Sequence, residues 1–225
     1  MLNISDQDGI RTIQLNRPPV NALSLELLTQ LSQAVDAAPS EGAKGILLTG
    51  LPGMFSAGLD LKALQSASPE GVREIVEALH LASKSLAKST IPVIAAITGH
   101  APAGGMVLSL FCDYRVMADG KFGIGLNEVK LKMPVPPLSM LALEQVVGLR
   151  NAKIFSNEGE FHSPQEAKAL GLIDLLAATD EVVSVATNKL ASLVEIQSPA
   201  ALAIRRFHRR VLLEQADMLP AELAL

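Results

Sequence analysis

Apolar and polar residues alternate through Ile10, Thr12, Ile13, Gln14 and Leu15 until Asn16-Arg17-Pro18-Pro19 interrupts them. A period of two marks a strand with one buried face, so this segment predicts a strand closed by a turn. From Leu23 to Val35 apolar positions recur at helical spacing, with Ser24 placed to cap and Pro39 closing the segment. Gly45–Thr49 and Val93–Thr98 are short apolar runs, and each predicts a strand buried on both faces. Each run leads into a loop of small residues. The first passes from Leu51-Pro52-Gly53 through Phe55-Ser56-Ala57-Gly58-Leu59-Asp60, and the second from Gly99 to Gly105. Ser68-Pro69-Glu70 opens a second long helix, since Pro69 suits a first helical position and Ile75, Val76, Leu79 and Leu86 keep the period to about Ser89. An apolar helix over Met106–Phe111 and short strands over Cys112–Ala118 and Lys121–Ile124 follow. From Leu138 onward the pattern is largely helical, broken at Gly148, Pro164, Gly171 and Pro199. The expectation is one α/β unit without an internal linker, built of repeated strand-strand-helix segments and a helical C-terminal portion.

Composition narrows the function. A chain of 225 residues suits one sizeable core. Although 49% of the residues are apolar, no run reaches the roughly 18 needed to cross a bilayer, and the start lacks a basic-apolar-small signal pattern. A protein without a membrane span is expected, in the cytoplasm, with the mitochondrial matrix and peroxisome left open. Cys112 is the one cysteine, which rules out an internal disulfide and a cysteine-rich metal site, and no metal-ligand spacing occurs elsewhere. A net charge of -4 without long same-sign blocks, and 3% aromatic residues, point away from nucleic acid and towards small-molecule chemistry.

Three places can carry that chemistry. Ser56-Ala57-Gly58 and Ala103-Gly104-Gly105 put small residues where a backbone must approach a ligand closely, and the second lies just before a helix. Either one alone is an ordinary turn; together they can aim two N–H groups at one oxygen, as stabilisation of a developing oxyanion requires. The third place is Gly123-Ile124-Gly125-Leu126-Asn127-Glu128, an acid at the end of an apolar stretch. On the surface Glu128 is a solvated side chain; in an apolar pocket its pKa rises and it becomes a proton shuttle. Asp60 suits a helix cap, His100 has no neighbouring nucleophilic serine, and Asp113-Tyr114-Arg115 suits internal polar groups. Lys62, and the run Arg205, Arg206, Arg209 and Arg210, could meet phosphate or stay solvated.

In order and spacing, Phe55-Ser56-Ala57-Gly58-Leu59-Asp60-Leu61, Gly99-His100-Ala101-Pro102-Ala103-Gly104-Gly105 and Cys112-Asp113-Tyr114-Arg115 resemble the successive signatures of the crotonase (enoyl-CoA hydratase/isomerase) family. Asn16–Leu23 and Ser163–Asp174 extend the resemblance over about Gly9 to Arg210. It implies a crotonase-like spiral of ββα repeats over 1–175, with a shortened helical trimerisation region over 176–225 in the same structural unit, and a homotrimer or dimer of trimers. It also implies an acyl-CoA thioester as substrate, with coenzyme A part of that substrate and no separate cofactor or metal. Carried over by position, the oxyanion donors are the N–H groups of Ala57 and Gly104, and Ser56, Gly58, Leu59, Asp60, Leu61, Gly105 and Val107 contact substrate.

Hydratases of the family use two glutamates; here Val107 takes the first place and Glu128 the second. One carboxylate suits a double-bond shift, and the chain is similar to the Δ3-Δ2-enoyl-CoA isomerases in particular. Hydration, thioester hydrolysis, decarboxylation or binding without turnover are the other readings. Lys130, Lys132 and Asn157-Glu158-Gly159-Glu160 depart from the family pattern, and the sequence stops soon after Arg210.

Overall fold

In the computed structural model, which describes residues 1–217, the repeated segments build two sheets. Strands β1 (Leu2–Gln7) and β2 (Ile10–Leu15) form a hairpin, followed by helix α1 (Leu25–Ala37). Strands β3 (Gly45–Thr49) and β4 (Gly53–Met54) precede α2 (Leu61–Ser66) and α3 (Pro69–Lys88). The next unit is β5 (Val93–Ile97), β6 (Gly99–Pro102) and α4 (Gly104–Leu110). The third is β7 (Tyr114–Asp119), β8 (Ile124–Gly125), a 3-10 turn over Glu128–Leu131 and α5 (Pro137–Asn157), which bends at Gly148. Then come α6 (Pro164–Ala169), β9 (Leu175–Ala178), α7 (Val182–Glu195) and α8 (Pro199–Ala216).

Each central unit gives its first strand to a six-stranded sheet, ordered β1-β2-β3-β5-β7-β9, and its second to a three-stranded sheet, β4-β6-β8. Among the strands of the described residues, only the β1–β2 pair is antiparallel. This is the expected α/β spiral of ββα units with helices at its C-terminal end. The part of the 176–225 region beyond 217 lies outside the described residues.

The large sheet is covered on both sides, which explains why its strands are continuously apolar in sequence. Ile46 and Leu48 of β3 face the main core, whereas Leu47 faces the opposite side with Val182, Ala186 and Leu190 of α7. In β5, Val93, Ala95 and Ile97 divide from Ile94 and Ala96 in the same way. Helix starts follow the expected chemistry: Ser24 accepts from Leu27 N–H, and Ser68 accepts from Gly71 N–H with Pro69 at the first position.

Several boundaries differ from expectation. β1 was invisible because nearly every one of its residues is exposed; it is held by backbone pairing to β2, not by an apolar face. β9 falls in a stretch read as helical, where four residues are too few to show a period. The strand expected from Cys112 starts at Tyr114, because Asp113 turns its carboxylate inward to accept from Val93 N–H at 2.8 Å. The strand over Lys121–Ile124 shortens to Ile124–Gly125.

That carboxylate also anchors the C-terminal helix. Asp113 Oδ1 accepts from Arg205 Nε at 2.6 Å and from Arg209 Nη2 at 2.9 Å, while Arg209 Nη1 donates to the carbonyls of Leu86 and Ala87 at the end of α3. Burial pulls the Arg209 guanidinium down to about 10, still charged at neutral pH. Next to it, Arg115 donates to Leu172 and Cys112 carbonyls and pairs with Asp174 at 2.9 Å. The Asp113-Tyr114-Arg115 segment thus serves internal polar groups, and two of the four C-terminal arginines are spent on structure. Replacing Asp113 with alanine leaves two mostly buried guanidinium groups uncompensated, so Asp113→Ala should lower unfolding free energy in urea by about 3–5 kcal/mol; a loss below 1 kcal/mol would show that the anchor contributes little.

Candidate active site

The two glycine loops meet. Gly58 has φ +84°, and a Cβ there would sit 2.9 Å from Ala103 Cβ and 3.0 Å from Gly104 N, so the position requires glycine for both conformation and space. A Cβ on Gly105 would press to 2.5 Å from the carbonyl oxygen of Ser56. The first loop is clamped from behind by fully buried Asn21, whose Nδ2 donates to the carbonyls of Leu15 and Phe55 at 3.0 Å each. Ser56 Oγ donates to the Asn21 carbonyl at 2.8 Å and accepts from Gly58 N–H at 3.2 Å.

This clamp decides which amides are available. Ala57 N–H, expected as an oxyanion donor, already donates to the Val20 carbonyl at 2.9 Å and cannot serve. Leu59 N–H and Gly104 N–H make no hydrogen bond among the described residues. The two are close, since a Cβ on Gly104 would lie 3.4 Å from Leu59 N. Gly104 opens α4, so the field of the helix start adds to its N–H. The unengaged pair is therefore Leu59 and Gly104, which puts Leu59 rather than the expected Ala57 beside Gly104 as a candidate donor. Spacing alone could not choose among consecutive amides, because the choice rests on a carbonyl about 37 residues earlier in the chain.

Both residues line a cavity of about 1030 Å³ whose walls are mainly apolar side chains, including Val72, Val76, Val107, Met133 and Phe161. Glu128 lines it too, at the start of the 3-10 turn. Its Oε2 is buried without a hydrogen-bond partner among the described residues, and desolvation raises its pKa, opposed by backbone hydrogen bonds of Glu128 and Asn127. Val107, on the first turn of α4, is fully buried against the same space. The one other acid on the lining is Glu77, exposed on α3.

The remaining expected contacts divide. Leu59, Leu61 and Val107 line the cavity, whereas Ser56, Gly58, Asp60 and Gly105 hold the loops that shape it. Asp60 caps α2 by accepting from Lys62 N–H and Ala63 N–H, and pairs with Arg17 at 2.7 Å; the Ala63 amide first, and then Arg17, hold its carboxyl below the usual range. His100 Nδ1 accepts from Gly123 N–H at 3.0 Å and its ring meets the edge of Phe122, a packing role. Lys130 pairs with Glu160, and Lys62 is exposed away from the cavity lining. The α3 wall and Phe161 were not anticipated, because their positions look like ordinary core or surface until the spiral brings them together. Among the described residues no cluster of His, Cys, Asp or Glu is grouped to hold a metal, and no helix is long and apolar enough to cross a membrane.

Known proteins are similar to this chain over most of its length. The human mitochondrial enoyl-CoA delta isomerase 1 is 33% identical over 205 residues, covering 90% of this chain and 68% of its own length. The mouse mitochondrial methylglutaconyl-CoA hydratase is 33% identical over 204 residues, or 88% of this chain and 65% of its own length. The chain thus spans about two thirds of the length of these relatives. The crystal structure of human mitochondrial delta3-delta2-enoyl-CoA isomerase superposes with a TM-score of 0.91 at 31% identity, covering 95% of this chain and 85% of that one. Residues 5–224 match the model of the enoyl-CoA hydratase/isomerase family, and with its two glycine loops meeting as the motifs foretold, the chain belongs to that family.

Proposed function

We propose that this protein shifts the double bond of an enoyl-CoA thioester from the Δ3 to the Δ2 position. The observation that carries this reading is a single buried carboxylate, Glu128, sharing an apolar cavity with two unengaged backbone N–H groups. The thioester oxygen sits between Leu59 N–H and Gly104 N–H. Glu128 removes a proton from C2, the electron pair moves onto that oxygen as an enolate, and the two amides stabilise the charge. Removing one such donor costs about 10²–10³ in rate. The protonated Glu128 then returns its proton at C4, the double bond settles between C2 and C3, and the carboxylate is regenerated. Burial keeps its pKa above the ordinary range, closer to working pH.

Hydration is the competing reading, favoured by the similarity to a methylglutaconyl-CoA hydratase. It suits this site less well: water addition by two acids lacks its first acid where Val107 fills the space. No resident cofactor is proposed, coenzyme A being part of the substrate. The human relative is mitochondrial by name, which supports the mitochondrial matrix, one of the locations the sequence left open beside the cytoplasm.

We also propose a homotrimer or a dimer of trimers. Ile204 and Phe207 project from one face of α8 with 62% and 61% exposure, and Ile196 just before it reaches 67%. Solvent is a poor neighbour for such a group, and a second copy would cover it.

Four outcomes test these readings. Glu128→Gln should lower turnover of a 3-enoyl-CoA by about 10²–10⁴ with affinity within a few-fold, while wild type hydrates crotonyl-CoA more slowly than it isomerises; equal rates would favour the hydratase. Gly58→Ala, which places a methyl at the donor pair, should cost about 10²–10³ in kcat/KM with far-UV circular dichroism retained. Light scattering at tens of micromolar should give a multiple of the 23.7 kDa chain mass, and a persistent monomer would sink the trimer.

A further inference from the structure

Two oxygen atoms on consecutive residues of the cavity wall lack partners. Glu128 Oε2 and Asn127 Oδ1 are both buried, and neither has a hydrogen bond among the described residues. Both residues line the cavity, and Asn127 sits at the entry to the 3-10 turn without capping it, its side chain giving no hydrogen bond to the turn. A buried acceptor left unpaired forfeits the hydrogen bonds it would make to water, and two of them on consecutive residues call for a common explanation.

The two ends of a carboxamide are nearly isosteric, so half a turn about χ2 exchanges Oδ1 and Nδ2 without displacing neighbouring atoms. After that turn a donor occupies the buried position and Oδ1 takes the place of Nδ2, which is not among the buried partnerless atoms. We propose that Asn127 is the positioning residue for the catalytic carboxylate, its amide turned so that Nδ2 donates to Glu128 Oε2. One rotation then satisfies both orphaned positions. It fixes the Glu128 carboxylate against the wall of the cavity that it lines.

The inference rests on Glu128 being the base of the reaction proposed above. Charged groups elsewhere do not replace Asn127 in this role. Across the cavity α3 presents exposed Arg73 and Glu77, Lys130 is occupied by Glu160, and Lys132 is exposed at the end of the turn. None of them contributes to the displacement of the Glu128 pKa, which comes from burial opposed by backbone amides alone. A hydrogen bond to the ionised form lowers a carboxyl pKa, so its removal must move Glu128 upward. Glu128 works as a base only when ionised, and activity therefore has to begin at higher pH.

The test uses Asn127→Ala and the nearly isosteric Asn127→Asp, with the full chain in each case. Glu128 is titrated by ¹³C NMR of its side-chain carboxyl, assigned from the signal lost in Glu128→Gln, and the acid limb of kcat/KM for a 3-enoyl-CoA is followed in parallel. The expected result is an upward shift of about one pH unit in both measurements for Asn127→Ala, with KM within a few-fold. Asn127→Asp should shift further, since it sets a second carboxylate beside the first, and Asn127→Gln should recover part of the wild-type profile. A merely structural role would lower kcat evenly at all pH values. If the Glu128 titration is unmoved in both variants, the inference is overturned. Should wild type fail to isomerise any enoyl-CoA, the functional reading falls, and the NMR titration still decides whether Asn127 holds Glu128.

Discussion

The closeness of two loops sets every other feature of this site. At Gly58 and Gly105 the backbones approach within distances that a Cβ could not occupy without displacing its neighbours, and at Gly104 a Cβ would be tight. Only that approach brings the amides of Leu59 and Gly104 to one point. The approach is fixed elsewhere. Asn21 and Ser56 tie the first loop to the end of β2, while parallel β4 and β6 set the height at which the second loop leaves the sheet. The spiral is thus a device for placing two N–H groups in register, each unit adding one strand to each sheet and one loop to the same edge.

Against that polar point the fold sets an apolar cavity, and the combination works against stability. A carboxylate whose native pKa lies above its unfolded value favours folding most fully when protonated, below the unfolded pKa. That contribution fades as pH rises through the native pKa. At the pH where Glu128 can accept a proton, the folded state is carrying an ionised group that water would hold better. The amides of Leu59 and Gly104 are in a similar position, without acceptors among the described residues at a site where a ligand's oxygen would complete them. Strain follows the same pattern: Ala103, directly before Gly104, is held at φ +47° and ψ −121°, where an alanine does not rest on its own.

Much of this was legible in sequence because it is written in local patterns. The buried strands showed as unbroken apolar runs, the helices as 3.6-residue periods with serine caps, and the glycine loops as small residues after each strand. Glu128 and Val107 were also readable, one as an acid after an apolar stretch and the other as an apolar residue in an acid's place. What sequence hid was decided at long range. Ala57 and Leu59 differ by two positions and look equally fit, and only the Val20 carbonyl separates them. Exposed β1 exists through backbone pairing, which leaves no side-chain signature, and β9, although Leu176 and Ala177 reach the core, is too short at four residues to show a period. The C-terminal arginines looked like one charged face, although two of them turn inward to a carboxylate that lies about 92 and 96 residues earlier in the chain.

That last arrangement makes the chain unequally tolerant of change. Two guanidinium groups share one Asp113 oxygen, so either arginine backs up the other: if Arg205 drifts to a neutral residue, Arg209 still neutralises the carboxylate, and the reverse holds as well. Asp113 has no such understudy, and it also receives the first amide of β5. Sequence drift at the C-terminal helix can therefore proceed one arginine at a time through intermediates that stay folded, whereas at Asp113 no single step is open until both cations have already gone.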